Sequence, residues 1–199
     1  MEQLANSVQH IIDVTQQNAY FLLKFVGIFW AVHLVNWAAK YRLNVLGIAP
    51  RTSHGLIGIL FAPFLHGNFN HLFFNTIPLF VLGSLVLANG YDVFYIVSIM
   101  VIVLGGLLTW ICGRKATHIG ASTLVMGYFG YLLANAYYSF NTTAIILAII
   151  CLYYFSGLIY ALLPGKKEIS WESHVFGCVA GVAASYLYPK IIAFVQVLS

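Results

Sequence analysis

Six apolar runs, most of them long enough to cross a bilayer, constrain this chain more than any other feature. They cover residues 20–39, 69–88, 93–112, 122–138, 144–163 and 171 to about 188. A helix of about 20 residues crosses roughly 30 Å of hydrocarbon and satisfies its own backbone hydrogen bonds there. The chain is 61% hydrophobic and only 7% charged, whereas a soluble domain has roughly 25% charged residues. The sequence therefore predicts an all-α membrane protein with six transmembrane helices in one bundle.

Two segments lie outside these runs and need their own interpretation. Residues 1–18 are polar but place their aliphatic side chains on one helical face, which is typical of an interfacial helix or of a frayed terminus. The first loop, residues 40–65, contains an apolar stretch that is too short to span. We expect this loop to dip into the interface beside the bundle. The predicted division is an N-terminal segment, 1–18, and a membrane domain, 19–199.

The entrance to the second run is the most polar part of any apolar segment. His71 and Asn75 lie four residues apart and therefore share a helix face, whereas His66 lies five residues before His71. Interhelical hydrogen bonds that only hold the bundle together are one explanation for the pair. Donation to a developing oxyanion is the other. Because the two histidines have no zinc-type spacing and no HExxH motif occurs, we expect no metal site.

A serine and a histidine stand at corresponding positions in the fourth and sixth runs. Ser122 opens the fourth run, which is short enough for its first turn to lie below the membrane surface. His174 lies in the sixth run, and an ionisable residue at membrane depth is a functional candidate by default. Small residues recur every three or four positions on both helices: Thr123, Gly127, Gly130, Ala134, and Gly177, Gly181, Ser185. If these stripes pack together, Ser122 and His174 lie at one depth.

This set of side chains is suited to acyl transfer. Serine attacks a carbonyl when a base takes its proton, and histidine is the usual base. Glu172 lies too close to His174 in sequence to decide whether it orients the imidazole, so we infer a Ser–His dyad rather than a triad. The imidazole of His71, the Asn75 amide and the serine N–H would stabilise the oxyanion. This chemistry requires no cofactor. Polar side chains that could line a wet cavity are His66, Asn68, Asn70 and His118.

These residues resemble the rhomboid family of intramembrane serine proteases, and the resemblance covers most of the chain. Its motifs are His66-x4-His71-x3-Asn75, Gly120-Ala121-Ser122 and His174-x2-Gly177-x3-Gly181, on the second, fourth and sixth runs. The resemblance implies a six-helix rhomboid-like bundle with Ser122 as nucleophile and His174 as base. It also implies that His71 and Asn75 are the oxyanion donors.

The resemblance further implies how such a protein is used. Its substrates would be single-span membrane proteins, cleaved near the outer face of the membrane. The fifth helix and the loop before the sixth would form a mobile gate. We place His66, Gly120 and Met126 as supporting residues of the cavity.

Three positions depart from the family pattern. Thr123 stands where a glycine usually follows the serine, and Met126 stands where many members have a tyrosine. The pair Ile57-Gly58 replaces the Trp-Arg pair of many first loops. Because of Thr123, a second function stays possible: a non-catalytic rhomboid-like protein that binds membrane clients. A small transporter or channel is a third possibility, although no internal repeat supports it.

The net charge of +4 lies in short loops, which favours anionic lipid headgroups over nucleic acid as its partners. The first, third and fifth loops carry Lys40, Arg42, Arg51, Arg114, Lys115, Lys166 and Lys167, and the other side carries Lys24 and Lys190. The positive-inside rule would place the odd loops in the cytoplasm. The resemblance places them outside. We follow the resemblance and expect a multi-pass protein of the bacterial inner (cell) membrane with cytoplasmic termini.

Overall fold

The computed structural model describes residues 2–164 and 170–198. In these residues the regular structure is helical, apart from a single antiparallel bridge between Ile48 and His118. Six long helices, called spans 1 to 6, are Glu2–Ala38, Phe69–Leu87, Tyr91–Cys112, Ser122–Ser139, Thr142–Leu162 and Trp171–Leu198. All but span 4 combine the length and the apolar character expected of a bilayer-crossing helix. Span 4 is central and contacts spans 2, 3, 5 and 6. The predicted all-α membrane bundle is confirmed.

Two spans extend beyond the limits that the sequence predicted. Span 1 is one unbroken helix, Glu2–Ala38, because no proline or glycine interrupts it before Gly27. Ile11 in its first part is buried in the core of the bundle, so residues 2–18 continue into the first span. Their placement in the interface stays a prediction. Span 6 continues past Pro189, because a proline removes only one backbone hydrogen bond and bilayer helices tolerate it.

Two spans depart from regular α-geometry beside the serine and the histidine. Span 3 contains a π-helical segment, Val101–Gly105, and such segments frequently occur at functional sites. Span 5 changes into a 3-10 helix over Ser156–Leu162. The segment between spans 5 and 6, residues 165–169, lies outside the described residues, and so does that part of the predicted gate.

Spans 4 and 6 pack with their backbones in contact. A β-carbon at Gly177 would overlap the carbonyl of Thr123, and one at Gly181 would overlap the carbonyl of Gly127. Only glycine leaves room for two helix backbones at this separation. The structure thus brings the two small-residue stripes together, and with them the starts of both helices.

The first loop is folded and anchored to span 3. It consists of a 3-10 turn, Arg42–Leu46, a loop helix, Ser53–Phe61, and a second 3-10 turn, Ala62–Phe64. A β-carbon at Gly55 would overlap the main chain of Ala49, so the loop helix packs closely on the extended segment before it. The guanidinium Nη1 of Arg51 donates to the carbonyls of Ile111 and Gly113 at 2.8 and 2.9 Å, at the end of span 3.

Candidate active site

One cavity brings together polar residues from spans 2, 4 and 6. It has a volume of about 520 Å³, and its lining includes Asn68, His71, Asn75, Ser122 and His174. The serine and His71 are half-buried, whereas Asn75 and His174 are each 8% exposed. Residues from three separate sequence motifs therefore share one space.

Ser122 is the first residue of span 4, and the turn before it requires glycine. Gly120 has a φ of +121°, and a β-carbon there would lie 2.8 Å from both Cε1 and Nε2 of His71. No other residue fits both the backbone conformation and the space. The first N–H groups of a helix lack intrahelical acceptors, and the positive end of the helix dipole favours negative charge. The hydroxyl of Ser122 thus stands where an anion would be stabilised.

The imidazole of His174 is held by the end of span 5. Its Nδ1 lies 2.9 Å from the carbonyl oxygen of Ala161. Because a carbonyl can only accept, Nδ1 carries the proton and donates it. The other ring nitrogen, Nε2, then keeps its lone pair and is the one available to take a proton.

Glu172 does not orient this imidazole. Its carboxylate lies 3.6 Å from the Arg114 guanidinium, and the side chain is 8% exposed. The Nδ1 of His174 is already bonded to the Ala161 carbonyl. The group that orients the imidazole is therefore a main-chain carbonyl.

The start of span 2 supplies side-chain donors on the other wall of the cavity. The Asn68 side chain accepts the backbone N–H of His71 at 2.8 Å and so caps this helix. The Asn75 amide donates one N–H to the His71 carbonyl at 2.9 Å, which leaves its second N–H for the cavity. The imidazole of His71 and the amide of Asn75 can both donate towards an anion beside Ser122.

His66 and Met126, which we expected beside the cavity, lie behind it. His66 is fully buried, and its Nε2 accepts the N–H of Ala121 at 3.3 Å. Burial and the neighbouring His71 lower the pKa of His66 to about 3, so its ring is neutral. It holds the residue that precedes Ser122. Met126, 1% exposed, packs in the hydrophobic core one turn further along span 4.

The first loop holds the segment that precedes span 4, a role that the sequence did not indicate. Ile48 and His118 exchange two backbone hydrogen bonds of 3.0 and 2.9 Å, and Gly120 donates its N–H to the Ala62 carbonyl at 2.9 Å. His118 is 3% exposed and hydrogen-bonds through Nδ1 to Ser170, so it links this segment to span 6 instead of lining the cavity. Burial lowers the pKa of His118. The glycines of the first loop were the only sequence feature that could have indicated this close contact.

Thr123, which stands in place of the usual glycine, occupies a recess beside the π-helical segment. Its Cγ2 would lie 3.1 Å from a β-carbon built at Gly105. Its carbonyl faces Gly177 of span 6. The extra side chain is thus accommodated by a glycine of span 3 and does not separate spans 4 and 6.

Histidine rings come close together behind the cavity. The ring centroids of His33 and His66 are 6.4 Å apart, and those of His66 and His71 are 5.0 Å apart. Within residues 2–164 and 170–198, however, no group of three or more His, Cys, Asp or Glu side chains is arranged to hold a metal ion.

The fold and the cavity define the class of protein: a multi-pass membrane bundle with a serine and a histidine facing one space. The rhomboid domain family matches residues 53–191, which include the loop helix and most of spans 2 to 6. The chain therefore belongs to the rhomboid family. Membership makes it an intramembrane protease of the rhomboid type or a non-catalytic relative, embedded in a lipid bilayer.

Relatives of this chain occur in mycobacteria. An uncharacterized protein of Mycobacterium tuberculosis is 37% identical over 175 residues, which cover 83% of this chain and 73% of the relative. An uncharacterized protein of Mycobacterium leprae is 34% identical over 175 residues, covering 83% of this chain and 69% of the relative.

Proposed function

We propose that this protein is an intramembrane serine endopeptidase that cleaves single-span membrane proteins with a Ser122–His174 dyad. The observation that carries the proposal is the shared cavity of about 520 Å³, in which both residues and two side-chain donors meet. A non-catalytic relative that only binds membrane clients would not need a serine, a histidine and two donors in one cavity.

The proposed reaction assigns one task to each side of the cavity. The Oγ of Ser122 attacks the scissile carbonyl carbon, and Nε2 of His174 takes the hydroxyl proton. The Nδ1–H bond to the Ala161 carbonyl keeps the base in this tautomer and stabilises the imidazolium that forms. The imidazolium then protonates the leaving amine, and water hydrolyses the acyl-enzyme with the histidine again acting as base.

The developing oxyanion is stabilised on the opposite wall. His71, the free N–H of Asn75 and the backbone N–H of Ser122 are the proposed donors. The start of span 4 adds the positive end of its helix dipole. Loss of one such donor typically costs about 10²–10³ in rate.

Single-span substrates fit the position of the cavity. Phe74 lines it and is 72% exposed on span 2, so the cavity has an apolar edge at the outer surface of the bundle. A peptide segment that lies in the bilayer would enter past this edge. Because the two relatives described above are mycobacterial, we place the protein in the bacterial cell membrane, with cytoplasmic termini.

The test is cleavage of a generic single-span substrate by the purified protein in proteoliposomes. Ser122→Ala and His174→Ala should each lower the cleavage rate by about 10⁴-fold or more. The matched controls are Ser139→Ala, at the other end of span 4, and His54→Ala, on the exposed face of the first loop. Both controls should cleave like the wild type.

Two outcomes would contradict the proposal. Cleavage that survives in both dyad variants would remove the mechanism. A folded wild type that cleaves none of several substrates but retains them on affinity resin would instead support the client-binding relative.

A further inference from the structure

An apolar groove lies on the first loop, away from the cavity at Ser122. This first-loop groove has a volume of about 390 Å³ and is lined by eight apolar side chains. Among them are Val32 of span 1, Leu43 and Leu46 of the turn that follows, and Phe61 and Phe64 after the loop helix. Its volume lies within the range of small-molecule pockets, about 300–1,000 Å³.

Two cations stand next to this groove, where span 1 ends. Lys40 and Arg42 are exposed and line one depression, and Arg42 directly precedes the groove residue Leu43 in the chain. The chain has no acidic residue between Asp13 and Asp92. The first loop therefore offers these cations no carboxylate of its own, and an anionic ligand would be complementary to them.

The turn that presents the cations has an unfavourable backbone conformation. Lys40 and Tyr41 have φ values of 56° and 59°, although left-handed geometry is uncommon outside glycine. Asn36, which is fully buried, holds the turn: its main-chain carbonyl accepts the Tyr41 N–H at 2.7 Å, and its side chain accepts the Leu43 N–H at 3.1 Å. These bonds form a left-handed cap of the kind that ends many helices, and they fix the positions of the two cations.

The lining and the neighbouring charges together indicate the kind of ligand. The eight side chains that line the groove are all apolar, and the first loop has no carboxylate to pair with Lys40 or Arg42. A hydrocarbon chain with a negative charge at one end is complementary to both features.

We propose that the first-loop groove binds one acyl chain of an anionic phospholipid, whose phosphate contacts Lys40 and Arg42. This site is independent of the proposed protease activity. It also gives the basic residues of the first loop a ligand, so their charge need not determine the orientation of the chain in the membrane.

The charge part of the proposal is tested by native mass spectrometry of the purified full-length protein. Phosphatidylglycerol and phosphatidylcholine with the same acyl chains are titrated separately. The wild type should bind phosphatidylglycerol more tightly. Lys40→Gln/Arg42→Gln should weaken that binding by roughly 25-fold, or about fivefold for each cation. The control Lys115→Gln/Lys190→Gln removes the same charge elsewhere and should bind like the wild type.

The groove part of the proposal is tested by filling the groove. Leu60, a groove residue, and Leu34, on the outer face of span 1, are each 58% exposed. Leu60→Trp should weaken phosphatidylglycerol binding, and the matched Leu34→Trp should not. Glycerol 3-phosphate, which lacks acyl chains, should fail to displace the lipid.

Three results would overturn the proposal. The first is equal affinity for the two lipids, or equal loss in the two charge variants. The second is displacement by glycerol 3-phosphate, which would indicate a phosphate site without a chain. The third is a protein dimer that Leu60→Trp dissociates, which would assign the groove to a second copy of the chain.

Discussion

The contact between spans 4 and 6 and the end of span 5 both position His174, but they differ in how they are built. Glycines at 177 and 181 bring two backbones into direct contact, so a residue with a β-carbon at either position would overlap the main chain of span 4. Span 5 has only 17% of its most apolar stretch buried, against 50% for span 2, and it ends in a 3-10 helix. The proposed base thus sits on a rigid helix, while its orienting carbonyl comes from a loosely packed one.

This difference separates two requirements of the proposed mechanism. The distance between the serine and the histidine depends on the rigid contact, so it should persist whenever the protein is folded. The tautomer and orientation of the imidazole depend on span 5, which can move without unfolding the bundle. Substitutions on the two sides should therefore affect different measurements.

The largest effect is expected from Gly181→Val in the rigid contact. Its side chain would overlap the main chain of Gly127, which cannot move aside. The free energy of unfolding should fall by more than about 4 kcal/mol, seen as a large loss of thermal stability in detergent. The neighbouring Val182→Ile, on the half-exposed face of the same span, should melt like the wild type. Similar melting of the two variants would show that the contact is not rigid.

We expect acid to lower the free energy of unfolding, because His66 and His118 are buried in the segments that hold Ser122. Burial keeps the pKa of His66 near 3, against 6.5 in the unfolded chain. Between these values the unfolded state binds the extra proton, so the free energy of unfolding falls by about 1.4 kcal/mol for each pH unit below 6.5. His118, whose pKa burial also lowers, adds to this loss.

The measurement is thermal unfolding of wild type and His66→Gln from pH 7.5 to 4. Glutamine can still accept the Ala121 N–H but cannot titrate. Its melting temperature should therefore depend less on pH. Span 5, Thr142–Leu162, contains no His, Asp, Glu, Lys or Arg, so it adds no such dependence. Identical pH profiles would mean that His66 does not contribute.

A smaller effect, mainly on catalysis, is expected at the end of span 5. Leu158 and Leu162 are partly buried against the core. Leu158→Ala/Leu162→Ala should loosen the 3-10 segment and displace the Ala161 carbonyl, which would lower kcat about tenfold. The control Ile149→Ala removes a side chain that is 61% exposed and should cleave normally. A loss confined to KM would point to substrate binding instead.

The smallest effect is expected where Thr123 meets the π-helical segment. Gly105→Ala brings a methyl group to 3.1 Å from Thr123 Cγ2 and should cost about 1 kcal/mol of stability. Thr123→Ser removes that methyl, so the double variant should regain most of the loss. Strictly additive changes in melting would show that the two residues do not contact each other.

Sequence patterns were sufficient for the features that depend on hydropathy and spacing. Five of the six spans follow from apolar length, and the meeting of spans 4 and 6 follows from glycines four residues apart. The convergence of Ser122, His174, His71 and Asn75 on one cavity also agrees with their spacing.

Features made by main-chain contacts were not predictable. The hydrogen bonds between Ile48 and His118 leave no signature, because every residue has an N–H and a carbonyl. His66 looked like a cavity residue because polarity along the sequence does not show which side of a ring faces water. The 3-10 end of span 5 reads as a continuous apolar helix.

The bond from His174 to the Ala161 carbonyl has a consequence for how the protein can vary. A carboxylate partner can be removed by a single substitution. A main-chain carbonyl remains after any substitution at its position, unless the substitution moves the main chain. Substitution of the Ala161 side chain would therefore leave the orienting group in place. Insertion or deletion of one residue there turns the following backbone by about 120°, since a 3-10 helix has three residues per turn. We expect position 161 to tolerate substitution and the segment around it to reject insertions and deletions.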